Sequence, residues 1–160
     1  MTCFTAWPLR RAYERLVSGW AGIELRDLLR DAARRRAEFM WPWETEPHSI
    51  AHGILDDETY DWLAVAEGML ATGGVPLVVD EETLLTANEL GRETTGIDVD
   101  PTGSSGLAGL VALRAAGEVA DDERVAVLFT GVTRVTPSAF DERTDDEKLR
   151  RQGHPVAQGL

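Results

Sequence analysis

The first half of the chain places its hydrophobic side chains at helical spacing. One set begins after Pro8, a residue that suits the first turn of a helix, and repeats at i, i+4, i+7, i+8 and i+11. Its members are Leu9, Tyr13, Leu16, Val17 and Trp20. A second set lies opposite a row of arginines and consists of Leu25, Leu28, Leu29 and Ala32. The sequence therefore begins with two predicted amphipathic helices.

A third helix is predicted over the stretch DDETYDWLAVAEGML. Its acidic residues stand at the start, where they complement the positive end of the helix dipole. The preceding stretch MWPWETEP is predicted to be irregular, because a proline disfavours the helical conformation of the residue before it.

The second half of the chain alternates between short apolar runs and helical patterns. The runs VPLVVD (75–80), IDVD (97–100) and RVAVLFTG (124–131) are typical of buried strands. Between them, EETLLTANELGRETTG predicts a helix with three leucines facing inward and a glycine as its C-cap. These residues are Leu84, Leu85, Leu90 and Gly96. The alternation predicts an α/β fold in which a short, mostly parallel sheet is flanked by helices.

Gly103, Gly106 and Gly109 recur in a further helix predicted over 102–116, although each glycine inside a helix costs about 1 kcal/mol relative to alanine. Positions three apart drift by about 60° around a helix, so the three form one narrow stripe without side chains. Such a stripe allows another backbone or a flat ligand to approach closely. Tight packing of the helix on the predicted sheet is the alternative explanation. The spacing matches neither dinucleotide-binding nor phosphate-loop patterns.

Length and charge narrow the classes of function. The 160 residues are enough for one domain, predicted over 1–134, followed by a polar and disordered tail over 135–160. A net charge of -12 argues against nucleic acid or an anionic membrane as a partner. The lone Cys3 has no internal disulfide partner and no apolar run is long enough to span a membrane, so a cytoplasmic location is expected.

Four segments in order resemble a known enzyme family. They are TAWPLRRAYERL, PHSIAHGI, the long run from ATGGVPLVVD to LRAAG, and RVAVLFTG. Together they resemble the C-terminal half of the fold-type II pyridoxal-phosphate enzymes, the tryptophan synthase beta-like family, and within it threonine synthase and its relatives. The resemblance covers nearly everything except the tail. It implies that the predicted sheet belongs to part of the large domain of such an enzyme, which performs lyase or replacement chemistry on amino acids.

The resemblance implies a role for five residues at the pyridoxal phosphate site. Thr130 and Gly131 in LFTG occupy the place where a hydroxyl or thiol meets the pyridine nitrogen of the cofactor. A neutral hydroxyl leaves that nitrogen largely unprotonated, which tunes the ring as an electron sink. Asp100 stands where relatives carry a longer acid before a proline. His52 and Gly53 in SIAHGI match a loop near the ring.

The family also needs a lysine that forms a Schiff base with the cofactor and a glycine-rich loop that binds its phosphate. In the family both precede the matched region, and the only lysine here is Lys148 in the tail. The chain is therefore expected to be inactive alone, with no covalently bound cofactor and no catalytic residue of its own.

Three uses of such a chain stay open. It pairs with a separately encoded N-terminal half that supplies the lysine, or it is a truncated remnant without activity. In the third, it is a binding or regulatory module that pairs with an intact homologue. In isolation the chain is expected to form oligomers or to aggregate, because half of a covered sheet exposes apolar surface.

His48 and His52 are four residues apart, a spacing that metal ligands on one helix face can have. They lie in a proline-bounded loop without a third ligand, so no metal site is predicted. Ser104 and Ser105 are interpreted as residues at a helix N-terminus, where serine is common.

Overall fold

The computed structural model describes residues 7–55 and 58–133. Among these residues six α-helices follow one another, with a 3₁₀ turn at His52–Ile54. The helices are α1 (Trp7–Gly19), α2 (Leu25–Arg34), α3 (Arg36–Phe39), α4 (Trp62–Thr72), α5 (Glu81–Thr95) and α6 (Ser105–Ala115). The five predicted helices are confirmed as α1, α2, α4, α5 and α6, with α3 as a short addition. The acidic first turn predicted for the third helix is wrong, because α4 begins at Trp62, after the acidic residues.

The predicted α/β fold with a short, mostly parallel sheet is wrong. The described residues contain no strand, and the runs 75–80 and 124–131 have no regular secondary structure. The one bridge among them is antiparallel and joins Val99 to Val132, beside a hydrogen bond from Thr133 N to Asp98 O of 2.9 Å. An apolar run becomes a strand only when a neighbouring run supplies hydrogen-bond partners along its length. Among the described residues no backbone hydrogen bond joins one of these three runs to another, so composition alone led to the wrong fold class.

The helices pack into two separate hydrophobic clusters. The first is formed by α1–α4, and in it the rings of Phe39 and Trp62 stack with their centroids 6.0 Å apart. Its buried residues are Ala12, Leu16, Leu28, Leu29, Ala32, Phe39, Met40, Trp62 and Ala66. The second lies between α5 and α6 and buries Ala51, Leu84, Ala87 and Ala108. No helix of the first cluster packs directly on a helix of the second.

The irregular segment after α3 is held to α1 by Trp41. The Arg11 guanidinium lies over the Trp41 ring at 3.9 Å from its centroid and donates to the Trp41 carbonyl oxygen at 3.1 Å. The indole N–H of Trp41 donates to Glu44 Oε1 at 3.0 Å. Arg15 also lies over the Trp41 ring, at 5.2 Å from its centroid, so the proline-rich loop is fixed by two cation–π contacts and by hydrogen bonds rather than by regular structure.

Helix α5 has a clear cap at each end. Asp80 caps the N-terminus, where its Oδ1 accepts a hydrogen bond from Thr83 N at 2.8 Å. Gly96 ends the helix at φ +70°, a left-handed conformation that favours glycine and confirms the predicted C-cap. Of the three leucines predicted to face inward, Leu84 is buried, whereas Leu85 and Leu90 are exposed.

No helix within 7–55 or 58–133 combines the length and the apolar character that crossing a membrane would require.

Candidate functional site

Gly103 and Gly131 bring two distant parts of the chain into backbone contact. Thr130 N donates a hydrogen bond to Gly103 O at 3.2 Å. A Cβ placed on Gly103 would lie 2.6 Å from the carbonyl oxygen of Gly131 and 2.8 Å from its Cα, and closer still to its backbone nitrogen. No side chain fits between backbones at these distances, so the contact requires glycine at position 103.

The Asp100 carboxylate closes the same contact from the other side. Its Oδ1 accepts a hydrogen bond from Gly103 N at 2.6 Å. A Cβ on Gly131 would lie 2.6 Å from Asp100 Oδ2 and 2.8 Å from Oδ1. Asp100 therefore holds the turn that precedes α6 and packs directly on the Gly131 backbone.

The loop around Gly53 reaches this turn through Thr102. Gly53 N donates to Thr102 Oγ1 at 3.1 Å, and a Cβ on Gly53 would lie 2.9 Å from the Thr102 methyl carbon. Two adjacent residues, Thr102 and Gly103, thus contact the Gly53 loop and the Gly131 segment respectively. We call the three glycines, with the side chains of Asp100 and Thr102, the glycine junction.

Two side chains beside the glycine junction are open to solvent. Thr130 is exposed, and among the described residues its hydroxyl makes no hydrogen bond. His52, next to Gly53, is exposed as well. The structure therefore brings the segments of all five residues singled out in the sequence to one place. It gives Asp100 and the two glycines structural contacts and leaves the side chains of Thr130 and His52 exposed.

Asn88, a residue not predicted from the sequence, supports the glycine junction through two hydrogen bonds. Its amide nitrogen donates to Val99 O at 2.9 Å and to Ser104 Oγ at 3.0 Å, and both Asn88 and Ser104 are buried. A signal was present, because Asn88 follows Leu84 by four residues on the buried face of α5. A polar side chain at such a position needs hydrogen-bond partners. Here those partners are the residues on either side of the Asp100 turn.

The three glycines predicted to form one stripe have different surroundings. Helix α6 begins at Ser105, so Gly103 lies in the preceding turn. A Cβ on Gly106 would lie 3.8 Å from Val127 Cγ1, and one on Gly109 would lie 3.3 Å from Leu77 Cδ1. Only Gly103 makes the close backbone approach, while Gly106 and Gly109 face apolar segments across more space.

The remaining candidate residues from the sequence form no ligand-binding arrangement within the described residues. In the part of the chain that the structure describes, no group of three or more His, Cys, Asp or Glu side chains is placed to hold a metal ion. Ser104 lies at the N-cap position of α6 without capping it through its side chain, since its hydroxyl meets Asn88. Cys3, Lys148 and the predicted tail over 135–160 lie outside the described residues.

Comparison with known proteins finds one distant similarity. Over 109 residues the chain is 29% identical to a threonine synthase of Methanocaldococcus jannaschii. The match covers 68% of this chain and 27% of that protein, so the chain spans about a quarter of the relative's length. No family model matches the chain, and no solved structure matches it.

Proposed function

We propose that this chain forms one wall of the cofactor site of a pyridoxal-phosphate enzyme related to threonine synthase. The relationship to the fold-type II enzymes, and to their C-terminal half, is part of this proposal. The observation that carries it is the glycine junction, where segments separated by up to 78 positions along the chain, from Gly53 to Gly131, meet beside an exposed hydroxyl. The similarity to a threonine synthase supports it independently.

The residues present fit such a cofactor on their chemistry. The exposed Thr130 hydroxyl is a neutral group that can hydrogen-bond a pyridine nitrogen without protonating it, whereas an aspartic acid would hold that nitrogen protonated. The exposed His52 imidazole presents an aromatic face or a hydrogen-bonding edge to a planar ring. When bound, pyridoxal phosphate supplies an electron sink that stabilises negative charge on amino-acid carbons.

The chain's own residues then have defined tasks. Thr130 meets the ring nitrogen and sets its protonation state, and the Gly131 backbone holds Thr130 in place against Gly103. Asp100 and Thr102 act by positioning, because their side chains are engaged in the junction. The amine that anchors the cofactor comes from polypeptide outside these 160 residues. By this proposal the chain contributes to catalysis only in combination with that polypeptide.

The test is a pyridoxal phosphate titration of the purified chain, alone and mixed with the product of the adjacent upstream reading frame. Absorbance is followed and the bound cofactor is then trapped with borohydride. We expect cofactor binding in the mixture and little in the chain alone. The variant Thr130→Val should weaken binding about 2- to 10-fold, the value of one ordinary hydrogen bond.

Thr86→Val is the matched control, because Thr86 is an exposed threonine on α5. It should bind the cofactor as the unmodified chain does. Equal binding by both variants would remove Thr130 from the site. A mixture without any cofactor signal would contradict the proposed function itself.

A further inference from the structure

An apolar groove runs along α6, and none of the residues of the glycine junction lines it. Its walls are the segments 75–79 and 123–128, and its floor includes Gly106, Gly109 and Leu110 of α6. The groove has a volume of about 620 Å³. Two irregular segments thus face each other across a helix surface on which two positions lack side chains.

The walls of the groove expose apolar side chains. Leu128 is 79% exposed, Val75 48% and Val125 46%. Exposed large apolar residues gathered at one groove are typical of a surface that another chain covers. Scattered single residues would need no such explanation, but these three belong to the two walls of the same groove.

The walls also carry backbone N–H groups that find no partner within 7–55 and 58–133. Among the described residues, no backbone N–H of 75–79 or 125–129 donates a hydrogen bond to another residue. The carbonyl oxygen of Pro76 accepts one from Arg10 at 3.2 Å. Position 76 is therefore closed to pairing, since proline has no N–H and its carbonyl is engaged, whereas the N–H groups of 77–79 and 125–129 remain for an extended peptide that adds by backbone hydrogen bonding. The groove therefore favours an extended backbone over a compact ligand.

We propose that this groove binds an extended, apolar segment of polypeptide from outside these 160 residues, paired with one or both walls through backbone hydrogen bonds. The identity of that polypeptide rests on the proposed function: it is the one that supplies the anchoring amine, since this chain spans 27% of the relative that it matches. A wall of five or six residues corresponds to a segment of about 17–20 Å. A second copy of this chain is a poor occupant, because each copy carries a net charge of -12.

Glycine at position 106 keeps the floor of the groove open. A side chain added at Gly106 would enter the groove next to Val127 without meeting backbone closer than 4.0 Å. Gly106→Val should therefore leave the isolated chain folded while it fills the space that the segment needs. Gly68→Val is the matched control, because Gly68 also lies in a helix, α4, and a Cβ there meets nothing within 4 Å.

The test uses the full chain and a peptide of sequence KTVIVTVTK, whose lysines oppose the negative charge of the chain. Hydrogen exchange of the amides in 75–79 and 125–129 is measured with and without peptide, with α5 as an internal reference. We expect exchange in one or both walls to slow at least tenfold at saturating peptide. A second peptide of the same sequence carries N-methyl groups on alternate amides, so it keeps its side chains but loses half of its backbone N–H donors. It should slow exchange of the wall amides at most one tenth as strongly. Gly106→Val should abolish protection, and Gly68→Val should retain it.

Three results would overturn the proposal. In the first, exchange of the wall amides does not slow at the highest peptide concentration, and in the second the N-methylated peptide slows it equally. In the third, the wall amides exchange slowly in the chain without peptide and faster when the chain is diluted. The last would mean that a second copy occupies the groove. The measurement contains no cofactor, so its failure would leave the titration with Thr130→Val untouched. Conversely, the groove could bind the peptide although the chain never binds cofactor. That result would support the groove and contradict the proposed function.

Discussion

Gly103→Ala tests whether the backbone contact at the glycine junction is as close as the structure has it. The new Cβ would meet the nitrogen, carbonyl oxygen and Cα of Gly131, none of which can rotate away. Gly103 does not have a positive φ, so alanine adopts its backbone conformation without strain and the cost is steric. Forcing the segments apart costs about 1–3 kcal/mol, and losing the Thr130–Gly103 hydrogen bond adds about 0.5–1.5 kcal/mol. We expect a loss of roughly 2–4 kcal/mol in the free energy of unfolding.

The assay is urea unfolding followed by far-ultraviolet circular dichroism. With an m-value of about 2 kcal/mol/M, the expected loss lowers the midpoint by about 1–2 M. Gly106→Ala is the matched control, since its Cβ would find Val127 Cγ1 at 3.8 Å and a helical glycine replaced by alanine gains up to about 1 kcal/mol. The two substitutions should therefore act in opposite directions. If Gly103→Ala unfolds at the same urea concentration as the unmodified chain, the contact is looser than described and the reasoning fails.

Two further predictions concern α5. Asn88→Ala leaves the buried Val99 carbonyl without its donor and should cost about 1–3 kcal/mol in urea unfolding, whereas Glu89→Ala on the exposed face should change little; equal effects would contradict the buried amide. Hydrogen bonds from the side chain and backbone of Thr83 lower the pKa of the Asp80 carboxyl from its usual 3.8. The charged cap therefore stabilises the folded chain at neutral pH, and this stability is lost as the pH falls below that value. In Asp80→Asn, urea midpoints between pH 7 and pH 3 should show a smaller decrease; an unchanged decrease would exclude the cap as its source.

The helices were predictable because their determinants are local. Spacing, a proline at the start of α1, an aspartate before α5 and a glycine after it are all read within a few residues. The error on Leu85 and Leu90 shows the limit of this approach, since apolar spacing does not say which side of a helix another element will cover.

The prediction of strands was wrong for a physical reason. The run RVAVLFTG has the composition of a strand, but its backbone pairing depends on what lies beside it, and composition holds no information on that. The candidate site was predicted from motifs rather than from composition. The resemblance singled out Thr130, Asp100 and Gly53 from separate motifs, and the structure brings their segments together. Their cofactor role stays a prediction, and Asn88 was found only from the structure.

The packing of Asp100 on Gly131 has an evolutionary consequence. The acid at one position occupies the space that a side chain at the other would fill, 2.6 Å from its Oδ2. Neither position is then free to drift alone: a homologue that acquires a side chain at 131 must shorten or lose the acid at 100. Covariation between these two columns, 31 positions apart, would therefore record the shape of the junction across the family tree.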